Sequence, residues 1–381
     1  MIYFDNAATT LRKPPEVADA VVRALGAFGG VGRGVHGASL DAGMAVFEAR
    51  ETAARLLGAP CAARVSFAHN ATAALNIAIA STIPCGGRAV TTAASHNSVL
   101  RPLFKARDER GCKVDVAPVR PDASLDFGAY ERLLEGGADL VVATHASNLT
   151  GDVYDIARMT ASAHAAGAVF VLDAAQTAGT VPIDMGALGA DIVCFTGHKS
   201  LFGPQGTGGL AVAEGIEVAP LFVGGSGTAS FDEQHPRFMP EALEAGTLNA
   251  HGLAGLAAGM AFVEREGVAA SAARLGLLTE RFECGAREVS GVRVLGGRGG
   301  IDRCPIVALD VCGIDSAMVA DELYREHSIC VRAGAHCAPL MHRALATEQN
   351  GAVRFSFSHF TTAEEIDEGI SALEAVVRAV R

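Results

Sequence analysis

No run of lysine and arginine occurs in the 381 residues, and 42 acidic residues outnumber 31 basic ones, for a formal net charge of -11. A long polyanion has nothing to hold here, which sets nucleic acid aside as a partner. No stretch reaches the ~18 consecutive apolar residues of a membrane-spanning helix. The opening MIYFDNAATTLRKPP lacks a basic segment followed by an apolar core, so it does not read as a signal peptide. The nine cysteines are odd in number and contain no CxxC pair. That fits reduced thiols and a cytoplasmic location better than a disulfide framework, and it argues against a structural zinc site. Internal repeats and low-complexity linkers are also missing. With 50% hydrophobic and 19% charged residues, long disordered tails are not expected.

What is present is an alternation. The length exceeds what one typical core supports, so two domains, or one large α/β unit with an appendage, are expected. Helical patterns at 17–25 and 39–57 precede a strand at 64–67. Strands at 88–92, 113–117, 140–144, 169–172, 191–195 and 209–212 then alternate with helices at 95–107, 126–134 and 157–166. Such alternation predicts a mainly parallel sheet with helices on both faces. After Asn249 the pattern changes to long helices at 253–265 and 270–289. Short strands follow at 292–295, 306–309, 329–332 and 352–356, with helices at 315–327 and after 362. This predicts a smaller α+β domain made of residues 1–14 and 256–381, beside a large domain of residues 15–255. No Pro/Gly linker marks the boundary, so a long helix is expected to bridge the two.

Ligands of open α/β sheets sit beyond the carboxyl ends of the strands. Thr72 opens a helix after the first strand; His96, Asn148, Asp173 and Gln176 follow later ones. Thr196, His198 and Lys199 follow the apolar strand at 191–195, at a loop rich in glycine, GPQGTGG. Each has a plain structural explanation: a helix cap for Thr72, His96 and Asp173, a turn former for Asn148, a surface amine for Lys199. Taken together they supply what pyridoxal phosphate requires. Lys199, partly desolvated, can react with the aldehyde as a neutral amine. Asp173 can keep the ring nitrogen protonated, and Asn148 and Gln176 can bond the ring hydroxyl. His96 can stack on the ring, and Thr72, Thr196 and His198 can form a phosphate cup.

The runs YFDNAATT at 3–10, RGVH at 33–36, SHNSVL at 95–100, SNLTGDVYD at 147–155 and VLDAAQTAG at 171–179 carry a wider resemblance. FTGHKSLFGPQGTGGL at 195–210, EAGTLNA at 244–250, VRAGAHCAPLMH at 331–342 and VRFSFSHFTTAEEID at 353–367 continue it. In this order they are similar to the class V aminotransferases, and within them to the cysteine desulfurase/selenocysteine lyase family. The resemblance implies the pyridoxal phosphate-dependent, aspartate aminotransferase-like type I fold. It implies a two-fold dimer with shared sites, in which Thr247 reaches the phosphate of the other subunit. Lys199 is then the Schiff-base lysine, Asp173 the pyridinium partner, His96 the stacking ring and Arg354 the clamp on the substrate carboxylate. Ala8 and Arg332 lie beside the substrate.

Cys337, beside His336 and near Arg332 in what reads as a mobile loop, is the expected nucleophile, because nearby positive charge favours the thiolate. Cys194, Cys312 and Cys330 read as inert core residues. The implied reaction converts L-cysteine to L-alanine. Lys199 moves the α proton, and Cys337 takes the sulfur as a persulfide and passes it to an acceptor thiol or protein. Four positions depart from the family pattern: Ala71, Leu248, Ala335 and Thr361. Selenocysteine lyase or aminotransferase-type activity is the alternative within the family. A low-turnover coenzyme-binding sulfur-relay protein is the alternative outside enzymes. A nucleotide-binding reading fails on the absence of a Gly-Lys-Ser/Thr ending.

Overall fold

The computed structural model describes residues 1–32, 34–297 and 302–380; Arg33 of the RGVH run lies outside the described residues. Seven strands form the larger sheet. Across it they run Val65–Ala68, Gly208–Val212, Ile192–Thr196, Val169–Asp173, Leu140–Thr144, Arg88–Thr92 and Lys113–Ala117. Alternate residues feed two separate cores. Val141, Ala143, Val193 and Phe195 pack into one, whereas Leu140, Val142, Ile192 and Cys194 pack into the other. The period of two in a strand thus puts apolar side chains on both faces, which helices cover.

Pairing is parallel from Lys113–Ala117 through to Ile192–Thr196. Gly208–Val212 runs antiparallel to both of its neighbours, against the simple expectation from alternation. The connection from Thr196 to Gly208 contains no helix, and a parallel return needs a long crossover. The chain therefore turns back at once, which leaves Gly197, His198 and Lys199 at the sheet's edge of chemistry. Gly197 is required there: a Cβ would overlap the Thr207 side chain and lie 2.9 Å from Leu256 Cδ1.

The smaller sheet has four antiparallel strands, in the order Arg332–Gly334, Ala352–Ser356, Ile306–Val311 and Val292–Leu295. Phe4, Phe282, Phe355 and Phe357 pack edge-on or tilted at its centre, with ring centroids 4.5–6.4 Å apart. The single strand expected at 329–332 is two. Ile329–Cys330 pairs in parallel with Ile2–Tyr3, and Arg332–Gly334 joins the four-stranded sheet. The break at Val331 lets one segment serve two sheets. Among the cysteines expected in the core, Cys194 is buried, but Cys312 is exposed and Cys330 only half-buried. Cys312 lies in the turn between Ile306–Val311 and Ser316–His327, beyond the packed part of the strand.

The bridge between the units is helical. Ala250–Glu266 packs on Pro15–Ala27 and Gly37–Leu57, whereas Val268–Glu288 packs on Ala363–Val380. The change of partners falls at Gly267, whose φ of +76° a side chain would strain. Residue 255 lies within the first of these helices, one turn or more before that change.

A buried ion pair ties the large unit's helical layer to its sheet. Arg50 and Glu244 are 7% and 9% exposed. Arg50 donates to both Glu244 carboxylate oxygens and to the Val65 carbonyl, and Glu244 Oε1 also accepts from the Phe67 amide at 2.6 Å. Removing one partner leaves the other charge buried and alone. Glu244→Ala should therefore lower unfolding free energy by about 3–5 kcal/mol, read by chemical denaturation; a loss below ~1 kcal/mol would show that the pair is solvated in solution.

Candidate active site

A cavity of about 300 Å³ lies where the large sheet's strand ends meet the small unit. Strand ends supply Thr144, Asp173 and Thr196; the turns after them supply Asn148, Gln176, His198 and Lys199. Helix starts supply Thr72 and His96. The N-terminal segment brings Ala8, and the small unit brings Arg332, Cys337 and Arg354. Every site residue singled out from the sequence lines this one cavity except Thr247. Thr247 is exposed and borders a separate hollow together with Glu244 and Leu248.

The cationic side is built around burial. Arg354 is 1% exposed in the strand Ala352–Ser356, not the surface ion pair that a strand-end arginine usually makes. It donates to the Asn148 carbonyl at 2.9 Å and to Asp5 Oδ1 at 3.1 Å, while its Nε has no partner. Burial, with Arg332 adding to it, lowers this guanidinium to about 10. Register sets Arg332 opposite Arg354 on the neighbouring strand. Burial and the Arg354 charge lower the Lys199 amine to about 8, against an upward pull from Asp173. Asp173, 4% exposed, accepts from the Ala175 amide at 3.0 Å. Burial raises its pKa, and the nearby Lys199 charge opposes that.

His96 is both a cap and a cavity wall. Its Nδ1 accepts from the Ser98 amide at 3.0 Å, which starts the helix Asn97–Arg110. Burial, then the charges of Lys199, Arg332 and Arg354, lower it to about 4. The ring is therefore neutral, and with Nδ1 accepting, its proton sits on Nε2. Ser98 Oγ also lies 2.7 Å from Thr72 Oγ1 and joins the two. His198 is likewise held near 4, by burial and then by Lys199, and its Nδ1 contacts Thr9 Oγ1 at 3.1 Å.

Cys337 lies in a turn between Arg332–Gly334 and Pro339–Leu345. His336 and Cys337 adopt successive left-handed conformations, φ +49° and +56°. Non-glycine residues pay roughly 1–2 kcal/mol each for this, and such strain persists where surroundings enforce it. Here they do. Asn148 Nδ2 donates to the His336 carbonyl at 2.7 Å, the Asn97 amide donates to the Cys337 carbonyl at 2.9 Å, and His336 Nε2 meets the Ala352 carbonyl at 3.0 Å. The expected mobile loop is thus a pinned turn. The expected charge on His336 is also absent. Its ring is 3% exposed, and burial followed by Arg354 lowers it to about 3. Positive charge near Cys337 comes from the arginines.

Reasoning from the sequence passed over Asp5, Thr9, Thr10 and Ser98. Asp5 partners Arg354, while Thr9 and Thr10 both donate to the His198 carbonyl. The YFDNAATT run held the signal, since the polar residues Asp5, Asn6, Thr9 and Thr10 in one short segment need a reason to be there. Four buried atoms of lining residues have no hydrogen-bond partner among the described residues: His336 Nδ1 and, on the residues assigned to coenzyme and substrate, the three atoms Asn148 Oδ1, Thr196 Oγ1 and Arg354 Nε. Buried polar groups are normally satisfied. A bound molecule offering a hydroxyl to Asn148, a phosphate to Thr196 and a carboxylate to Arg354 would satisfy all three, and the donor set fits pyridoxal phosphate with an amino acid beside it. No group of acidic, histidine and cysteine residues suited to a metal ion occurs among the described residues.

Comparison with known proteins agrees with this geometry. Residues 2–368 match the family model for aminotransferase class V. The chain is 33% identical to a cysteine desulfurase of Cereibacter sphaeroides, over all of this chain (100%) and 96% of that one. It is 32% identical to a probable cysteine desulfurase of Methanothermobacter thermautotrophicus, over 96% and 92% of the two chains. Its backbone matches the apo structure of a cysteine desulfurase from Thermococcus onnurineus NA1 with a TM-score of 0.93 at 33% identity, covering 99% of this chain and 95% of that one. The residues matched by the family model include every residue that lines the cavity, and the chain belongs to the class V aminotransferase family.

Proposed function

We propose that the protein is a pyridoxal phosphate-dependent cysteine desulfurase, which converts L-cysteine to L-alanine and carries the sulfur on Cys337. The observation that bears this reading is the meeting, in one cavity, of Lys199, Asp173, Arg354 and Cys337. A binding protein without turnover has no use for a strained thiol facing a buried amine.

Lys199 would hold the coenzyme's aldehyde and Asp173 its ring nitrogen, a cation whose charge offsets the burial that raises Asp173. Thr72, Thr196 and His198 would take the phosphate, Asn148 and Gln176 the ring hydroxyl, and the neutral face of His96 the ring. Asn148 spends its amide nitrogen on His336, so its free group is an acceptor. When bound, pyridoxal phosphate supplies an electron sink for the carbon that loses its proton.

The chain's residues do the rest. Arg354 grips the substrate carboxylate through its unpartnered Nε edge. That grip turns the substrate's α proton toward Lys199 Nζ, which is neutral often enough near pH 7 to accept it. Cys337 Sγ, fixed by its turn, attacks the substrate sulfur. The carbon–sulfur bond breaks, a persulfide remains on Cys337, and Lys199 returns a proton as alanine forms.

Assembly as a dimer accounts for Thr247. It is exposed and absent from the lining of its own cavity, and Val22, Leu25, Leu40, Met44 and Phe47 lie exposed on the two helices Pro15–Ala27 and Gly37–Leu57. A second copy seated there would bring Thr247 to its partner's phosphate. No helix among the described residues is long and apolar enough to cross a membrane.

Incubating the purified protein with L-cysteine should release alanine and place a persulfide on Cys337, mapped by mass spectrometry. Cys337→Ala should abolish that release and keep the bound coenzyme's visible absorption. Undiminished turnover would remove Cys337 from the chemistry. Arg354→Lys should raise KM for cysteine on the order of 10–100-fold, the worth of a charge-assisted fork; an unchanged KM would place the carboxylate elsewhere. Because Lys199 sits at about 8, coenzyme capture by the coenzyme-free protein should accelerate roughly tenfold per pH unit up to that value and then level off. A flat profile between pH 6 and 8 would show an amine already neutral.

A further inference from the structure

Cys337 faces two cavities. Beyond the substrate cavity lies a second one, of about 330 Å³, which shares Thr72, His96, Ser98 and Cys337 with the first and extends along the helix Asn97–Arg110. We propose that this second cavity seats the sulfur acceptor, and that the acceptor is a small thiol carrying carboxylate groups. The proposal rests on the desulfurase reading and names the partner of its second half.

Three observations carry it. The helix whose first residue anchors the Cys337 carbonyl, through the Asn97 amide at 2.9 Å, also presents Arg101 and Lys105 to the cavity. Spacings of four put 97, 101 and 105 on one side of that helix. Next, the lining is cationic without compensation: it holds Arg101 and Lys105 and no acidic side chain. Arg101 has no ion-pair partner among the described residues, and Lys105 makes only a 3.9 Å pair with Glu109 in which both side chains are more than 60% exposed. On a chain of net charge -11, a mouth of this sign is an exception that draws anions to one place. Finally, the volume falls in the range of small-molecule sites. The substrate's own carboxylate is already provided for by Arg354, so these two cations serve another ligand.

The transfer balances without any oxidant. The acceptor thiolate attacks the outer sulfur of the Cys337 persulfide. A sulfur–sulfur bond forms to the acceptor as the bond to Cys337 Sγ breaks, and the electron pair returns to Cys337 as thiolate. The transferred sulfur keeps its proton, and no net oxidation or reduction occurs.

The test uses the full chain supplied with pyridoxal phosphate and one pulse of L-cysteine. Discharge of the Cys337 persulfide is then followed with 2-mercaptoethanol, 3-mercaptopropionate and mercaptosuccinate, at matched thiolate concentration and low salt. Rates should rise with acceptor charge, with mercaptosuccinate about tenfold or more above 2-mercaptoethanol, and the ratio should shrink as salt is added. In Arg101→Gln/Lys105→Gln the ratio should fall to near one. Because it is a ratio within each protein, a general loss of activity does not mimic the result. Equal rates for the three thiols, or a ratio that survives in the double variant, overturns the proposal. No alanine in the cysteine pulse refutes the desulfurase reading itself, and the proposal with it; normal alanine with uncharged preference refutes the proposal alone.

Discussion

Burial of Arg354 is the constraint on which the site depends. A guanidinium taken out of water is tolerated only where several acceptors meet it. Its two partners come from distant parts of the chain, Asp5 near the start and the Asn148 carbonyl of the large unit, while the residue itself sits on the small unit's strand Ala352–Ser356. Satisfying one side chain therefore fixes the N-terminal segment, the turn after Leu140–Thr144 and the smaller sheet against one another. The same Asn148 then ties down His336, and through it the Cys337 turn. Clamp and nucleophile are set by one network, so neither can drift without the other.

The cavity also runs against the charge of the molecule. The chain as a whole is acidic, yet Lys199, Arg332 and Arg354 face a space where, among the described residues, Asp173 and Asp5 answer them. Burial, and after it the neighbouring cations, lowers Lys199 and His96, and burial followed by Lys199 lowers His198. An amine that loses its proton easily and a neutral ring are what a base and a stacking surface need, and burial provides them with help from the same cations that attract a phosphate and a carboxylate. Attraction of substrate and tuning of the base are one arrangement.

Much of this was legible in the sequence because strands end abruptly. A run such as Leu140–Thr144 is apolar at each position that must be covered, and the polar residues that follow have nowhere to go but the sheet's carboxyl edge. That logic found Asn148, Asp173, Thr196 and Lys199. It did not find Asp5, because the two-residue strand Ile2–Tyr3 is too short to show a period and its partner is remote. It misjudged His336, because a histidine beside a cysteine looks the same in a sequence whether its ring meets solvent or the Ala352 carbonyl. The direction of Gly208–Val212 was hidden for a related reason: composition gives a strand, while only the geometry of the connection gives its sense. Splitting at Val331 was hidden too, since no glycine or proline in Ile329-Cys330-Val331-Arg332 marks a break.

The union of the chain's two extremes has a further meaning. Asn6 bonds the Ser356 carbonyl across 350 residues, and Ile2–Tyr3 pairs with Ile329–Cys330. Segments more than 300 residues apart must therefore come together before either contact closes, a slow step for a folding chain. Arg354 meets Asp5 only at that moment. The amine of Lys199 lies between them in the sequence, so the grip on an amino acid is complete only once this closure of distant segments has formed around it.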